Sequence, residues 1–258
     1  MTLLVDGNNL MFREMNNAGK SNVHPVRSLY NDLSTNNDLT VLVWDGYNGN
    51  ERRKALYPEY KGNRPEKGED VYAIFKLFQE LMEHTTVMQI KVPTWEADDV
   101  IFTLAKFFSS QGDDNIIVNT NDADYLQFAD LPGVSLPCVT KWAWDSHLII
   151  TYKALVGDTS DNIGGMQGFG EGAWNQMRTY HDVMMEALST NNWDLWNTIP
   201  FPKYCQKHCC NRDNFDRSVM FYKVITMQDV PIEEIMANQK MGTKNPLMVE
   251  QIFSRYML

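Results

Sequence analysis

Short apolar runs alternating with helical stretches are the feature that most constrains this chain. Thr2–Val5, Leu39–Trp44, Thr86–Val92 and Asn115–Asn119, with a weaker run at Gly133–Val139, are bounded by polar, Gly or Pro residues and predict strands. Between them, Val26–Leu33, Val71–His84 and Ala97–Ser109 read as helices. In the middle one, Val71, Ile74, Phe75, Phe78, Leu81 and Met82 recur at helical spacing. Strand–helix alternation predicts an α/β fold with a mainly parallel central sheet flanked by helices. Residues 47–70 break the pattern, being basic (Arg52, Arg53, Lys54, Lys61, Arg64, Lys67), interleaved with Tyr57 and Tyr60, and poor in aliphatics. They predict an excursion from the sheet.

Residues 1–150 are therefore expected to form the α/β core, and 151–258 a mostly helical region. A helix is expected over Thr151–Val156, a Gly-rich stretch over Gly164–Gly172 and a second helix from Ala173. Trp174, Trp193, Trp196, Phe215, Phe221 and Phe253 are expected to pack in it.

Acids follow the strands. Asp6 ends the first and Asp45 the second; Glu96 and Asp98-Asp99 follow the third, Asp122 and Asp124 the fourth. In a parallel sheet these ends converge on one edge, where ligands bind. One Asp after a strand is more often a turn former or helix cap, but four strand ends together exceed what capping requires. Clustered carboxylates repel one another, and a hard divalent cation removes that problem. Asp158 and Asp161, three apart, suit a second metal position. Two neighbouring ions suit phosphodiester hydrolysis, one activating water and the other neutralising the leaving oxygen. Gly164, Gly165, Gly168, Gly170 and Gly172 form a turn whose N–H groups can hold a phosphate without basic side chains.

Composition enters through charge. A formal net charge of −10 argues against nucleic acid as a partner, since phosphate contacts need cations. Setting aside the nine acids of the proposed site leaves 24 acids against 23 bases, so the excess is local. The opening Met-Thr-Leu-Leu-Val-Asp is no signal peptide, and no apolar run approaches the ~20 residues of a membrane span. Four cysteines are too few for a disulfide framework, which points to a reducing cytoplasm. Cys205, His208, Cys209 and Cys210 lack a second ligand segment for zinc and read as ordinary thiols with a neighbouring His.

Six segments in order resemble the 5′-nuclease family of flap endonucleases and 5′–3′ exonucleases. They are Leu4-Val5-Asp6-Gly7-Asn8-Asn9-Leu10 with Arg13; Trp44-Asp45-Gly46 followed by Arg52-Arg53; Tyr57-Pro58-Glu59-Tyr60-Lys61-Gly62-Asn63-Arg64; Glu96-Ala97-Asp98-Asp99-Val100; Asn121-Asp122-Ala123-Asp124-Tyr125-Leu126-Gln127; and Gly157-Asp158-Thr159-Ser160-Asp161-Asn162-Ile163. The chain is most similar to the bacteriophage branch, which would put it in a host cytoplasm. The resemblance runs from residue 2 to about 175; residues 176–258 match nothing of the family. Within it, Ala123 stands between the two aspartates, the turn reads Gly165-Met166-Gln167-Gly168, and Glu51, Glu59, Glu66, Glu69 and Asp70 dilute the basic excursion.

The resemblance implies a PIN-like/5′-nuclease fold with a helical arch at 47–70 and a helix–turn–helix duplex grip near 151–185. It implies that Asp6, Asp45, Glu96, Asp98, Asp99, Asp122, Asp124, Asp158 and Asp161 surround two or three ions, Mg²⁺ or Mn²⁺, with K⁺ at the Gly-rich turn. Lys61, Arg64, Asp98 and Asp122 are expected to carry catalysis. Arg13, Arg52, Arg53, Tyr60, Lys61, Arg64, Gly165, Gly168 and Gly170 are expected to touch DNA, with Tyr60 stacking on a base. The expected activity is two-metal hydrolysis of DNA at a 5′ flap, nick or free 5′ end, leaving 5′-phosphates. RNA–DNA hybrids are further candidate substrates, and a monomer is expected. A branched-DNA binding protein without cleavage and a PIN-type ribonuclease are the alternatives.

Overall fold

Each of the four stronger apolar runs becomes a strand in the computed structural model, which describes residues 1–17, 24–34, 39–139 and 144–257. These are β1 (Thr2–Asp6), β2 (Leu39–Val43), β3 (Met88–Ile90) and β4 (Ile116–Asn119); the weaker run gives a two-residue β5 (Val134–Ser135). A sixth strand, β6 (Gln239–Met241), was not predicted. The sheet order is β5-β4-β1-β2-β3-β6, all pairs parallel except the antiparallel β3–β6. The mainly parallel sheet is therefore as expected, with one antiparallel edge.

The α-helices among the described residues are α1 (Gly7–Asn17), α2 (Pro25–Ser34), α3 (Glu51–Leu56), α4 (Glu69–Glu83), α5 (Ala97–Ser110), α6 (Ile149–Val156), α7 (Glu171–Gln176), α8 (His181–Ser189), α9 (Trp193–Trp196), α10 (Lys203–Cys209), α11 (Arg212–Ile225), α12 (Ile232–Ala237) and α13 (Pro246–Tyr256). Among the described residues no helix is long and apolar enough to cross a membrane.

The period-2 pleat sorts neighbouring strand residues onto opposite faces. Leu4, Val41 and Val43 face α5 through Val100, Ile101 and Leu104, while Val5 and Leu42 face α1, α2 and α4 through Leu10, Leu29 and Phe78. Both faces are covered, as a parallel sheet requires. A third core holds Trp174, Trp196, Phe215 and Phe221 among the helices from α6 to α11.

The boundary expected at residue 150 does not follow these cores. After α11 the chain returns to the sheet: Met227, Val230 and Ile235 join the α5 face, and Val249, Ile252 and Phe253 join the other. Phe253 thus packs under the sheet layer rather than in the helical half.

The excursion also differs from expectation. Before α4 begins, its helical part is the six residues of α3, and its next turns are packed down, with Tyr57 against Phe221 edge to face at 5.2 Å. Gly62–Asp70 form the exposed arm, with α4 starting at Glu69. Gly46 lets the chain leave β2 close to the end of β3, since a Cβ there would lie 1.8 Å from the Val92 carbonyl oxygen.

Candidate metal and nucleic-acid site

The strand ends converge as parallel pairing dictates, and each acid there has defined partners. Asp6 accepts hydrogen bonds from the Asn9 N–H (2.9 Å) and the Tyr125 hydroxyl (3.0 Å). Burial, then the nearby Asp45, pushes its carboxyl up to about 7. Asp45 accepts from the Ala97 N–H at 2.9 Å and from the Asn8 amide, which ties the end of β2 to the start of α5. Glu96 accepts from Arg53, Lys61 and the Tyr60 hydroxyl. Burial raises its carboxyl, but Lys61 and Arg53 outweigh burial and hold it down at about 2. Asp98 lies 3.4 Å from the Arg53 guanidinium; burial nevertheless holds its carboxyl well above the usual range.

A second group forms where the fourth strand end meets α6 and the segment after it. Carboxylate oxygens of Asp124, Asp158 and Asp161 lie within 4.8 Å of one another. Lys153 of α6 reaches between them, pairing with Asp124 and, at 2.7 Å, with Asp158. Burial takes the Asp124 carboxyl up to about 7 even so, whereas Lys153 and Ser160 hold Asp158 below its usual range against burial. Arg64 donates to Asp161 at 2.7 Å, and the Tyr60 hydroxyl, 3.2 Å from both Glu96 and Asp161, links the two groups. Asp122 accepts from the Asp124 N–H at 3.0 Å. Every acidic donor is an oxygen, and burial makes the ionised forms costly; this donor set fits a hard divalent cation.

The family model for the 5′-3′ exonuclease N-terminal, resolvase-like domain matches residues 1–145. This chain belongs to that 5′-3′ exonuclease family. It is 31% identical over 189 residues to the thermostable DNA polymerase I of Thermus thermophilus, covering 66% of this chain and 22% of the polymerase. It is 34% identical over 167 residues to the 5′-3′ exonuclease of Bacillus subtilis, covering 58% of this chain and 55% of that protein. The chain thus spans about a fifth of the polymerase relatives it matches. In fold it is similar to T5 5′-exonuclease, in a structure with divalent metal ions (zinc) bound: TM-score 0.61, 21% identity, all of this chain and 98% of that one.

Three of the residues assigned above to metal or DNA are engaged inside the fold. Arg53 is 3% exposed and donates to Glu96, Asp98, Asp99 and the Val224 carbonyl, so it is an internal counter-ion with no nitrogen left for a flanking phosphate. Tyr60 is 2% exposed with its hydroxyl on two acids, so its ring cannot stack on a base. Asp99 gives both oxygens to Arg53 at 2.9 Å and one also to the Gln228 N–H, and so anchors the Arg53 guanidinium. Arg52 stays exposed, its guanidinium 3.7 Å from the Trp95 ring centroid. Arg13 donates to Asn119 at 3.0 Å, beside the end of β4.

The Gly-rich segment joins α6 to α7. Gly165 has φ +66°, and a Cβ there would lie 2.7 Å from the Leu155 carbonyl oxygen, so only glycine fits. Gly168 also has positive φ, whereas Gly170 is extended and borders open space. Met166 is buried in the helical core and anchors the turn there. Cys205 and Cys209 are buried in the same core and Cys210 is exposed. Lys153 was missed by the sequence reading. Its signal was available: the one charged residue in the octet Ile149–Val156, shortly before Asp158.

Proposed function

We propose that this chain is a metal-dependent 5′ nuclease that hydrolyses DNA phosphodiesters at a 5′ flap, a nick or a free 5′ end, leaving 5′-phosphates. The observation that carries this reading is the gathering of carboxylates from four strand ends and the α6–α7 segment, with Lys61 and Arg64 reaching in from the excursion. Asp6, Asp45, Glu96, Asp98 and Asp122 would hold one ion and Asp124, Asp158 and Asp161 a second, Mg²⁺ or Mn²⁺. When bound, such ions supply activation of water and neutralisation of the leaving oxygen.

The chain's own residues do the remainder. Burial lowers the proton affinity of Lys61, but Glu96 and Asp161 raise it further, so it stays a cation through the working pH range. Lys61 and Arg64 therefore act as electrostatic stabilisers of the phosphate in the transition state rather than as proton donors. Arg52 and Arg13 offer flanking phosphate contacts. The α6–α7 turn offers backbone N–H groups of Gly165, Gly168 and Gly170 to the duplex backbone, with K⁺ at the same turn. RNA strands paired to DNA fit the same backbone-directed site. The protein acts as a monomer in the cytoplasm.

Asp98→Ala should abolish cleavage of a 5′-labelled flap in Mg²⁺ while the circular-dichroism spectrum is retained. Full activity of that variant would refute the assignment. Nicked duplex and RNA–DNA hybrid in the same metal titration measure the substrate range.

A further inference from the structure

Residues 57–64 of the excursion and the loop 158–163 are far apart in sequence, yet hydrogen bonds stitch them together. The loop is closed by Asp158 and Ile163, each N–H donating to the other's carbonyl at 2.8 Å. The four carbonyls between those two residues each accept a bond from the excursion. Thr159 accepts from the Asn63 amide at 2.7 Å and Ser160 from the Arg64 guanidinium at 3.1 Å. Asp161 accepts from the Lys61 backbone N–H at 3.0 Å, and Asn162 from the Tyr57 hydroxyl at 3.0 Å. One bond runs the other way, from the Asn162 amide to the Glu59 carbonyl at 2.8 Å.

Backbone geometry gives this stitching a purpose. Lys61 has φ +54°, a region that residues with a Cβ rarely adopt, and Asn162 has φ +61°, where Asn is among the better-tolerated types. Left to itself, residue 61 would favour another backbone conformation and carry its ammonium elsewhere. The bond from its N–H to the Asp161 carbonyl, with the Asn63 and Asn162 amides on either side, holds the conformation that sets the ammonium on Glu96. Arg64 is fixed likewise, its guanidinium spanning the Ser160 carbonyl and, at 2.7 Å, the Asp161 carboxylate. The two cations assigned above to the phosphate thus sit on the same frame as Asp158 and Asp161.

We propose that Asn63 and Asn162 are positioning residues, whose amides clip residues 57–64 to the loop 158–163 and so hold Lys61 and Arg64 at the phosphate being cut. Each amide donates to a backbone carbonyl and not to an acid of the centre, so it acts through the cations it places. The proposal rests on the nuclease reading for the reaction it serves. The clip itself is open to measurement without metal or DNA.

Trypsin in chelator reads the clip directly. Loss of one amide bond should raise the open population, and with it the rate of cutting after Lys61, about 2- to 10-fold in Asn63→Ala and in Asn162→Gly. Cutting after Lys67, in the arm that is already exposed, is the reference. Both variants should fold, because Asn63 is exposed and glycine keeps the positive φ at 162. Equal rates after Lys61 in all three proteins would overturn the clip.

On a 5′-labelled flap in Mg²⁺, both variants should lose roughly 10- to 100-fold in kcat, as expected of misplaced catalytic groups, with KM within about 2-fold of wild type. In single turnovers the loss should be smaller when Lys61→Met is already present, because a positioning residue acts through the side chain it positions. A merely structural role would give additive losses. Additivity, or a rise in KM at unchanged kcat, overturns the positioning role. Wild type that cuts flaps beside variants of equal kcat overturns it too and leaves the nuclease reading standing. Wild type that cuts no flap overturns the nuclease reading and the positioning role together, whatever trypsin shows.

Discussion

Arg53 holds together Glu96, Asp98 and Asp99, acids that would otherwise repel one another. Replacing it with Met should cost roughly 3–5 kcal/mol in urea unfolding, the usual price of leaving buried charges uncompensated. Arg53→Lys should recover little, because one ammonium cannot repeat the two-pronged contact with Asp99. Lys153 makes a different prediction. It pairs with Asp124 and Asp158, the same charges that an ion on the proposed second site would neutralise. The rise in melting temperature on adding Ca²⁺ should therefore be a few degrees larger in Lys153→Met than in wild type. Equal increments in the two proteins would contradict this role. At this scale the acids were legible because their position after each apolar run shows in the sequence. Burial of Arg53 and Tyr60 was not, because α3 spans only six residues and a basic stretch reads as solvated until its packing partner, α11, is known.

Among the elements, the α6–α7 turn bears a strict local constraint. Gly165→Ala combines a strained φ with a clash against the Leu155 carbonyl, and should destabilise by at least ~1 kcal/mol. Duplex affinity should fall with it, measured on nicked DNA in Ca²⁺; unchanged affinity would mean that the turn does not grip the backbone. The turn was visible as a run of glycines, and strands β1 to β4 as β-branched runs. β6 was not: Gln239-Lys240-Met241 carries no β-branched residue, and its pairing with β3 is set by tertiary context. The 47–70 segment was legible as an excursion but not as to shape, since nothing in its composition says that α3 packs down while Gly62–Asp70 stay out.

For the whole molecule, the carboxylate cluster couples stability to pH and metal. Asp6 and Asp124 are pushed up to about 7 from an ordinary 3.8, so the folded protein keeps protons that the unfolded chain has released. Stability in chelator should therefore fall as pH rises from about 4 through 7. Glu96, held at about 2, acts oppositely: its contribution is present above about 4.5 and is lost as pH falls toward 2. Melting curves in chelator should show their maximum near pH 4–5, and saturating Mg²⁺ should flatten the alkaline limb because the ion binds the ionised form. A metal-free curve flat from pH 5 to 8 would contradict the buried-acid account. The return of residues 227–253 to the sheet also bears on synthesis. Every acid of the cluster lies before residue 162, whereas the segments that finish covering both faces of the sheet come after 225. On the ribosome, the growing chain therefore carries its full set of acids for some sixty residues before the scaffold beneath them can close.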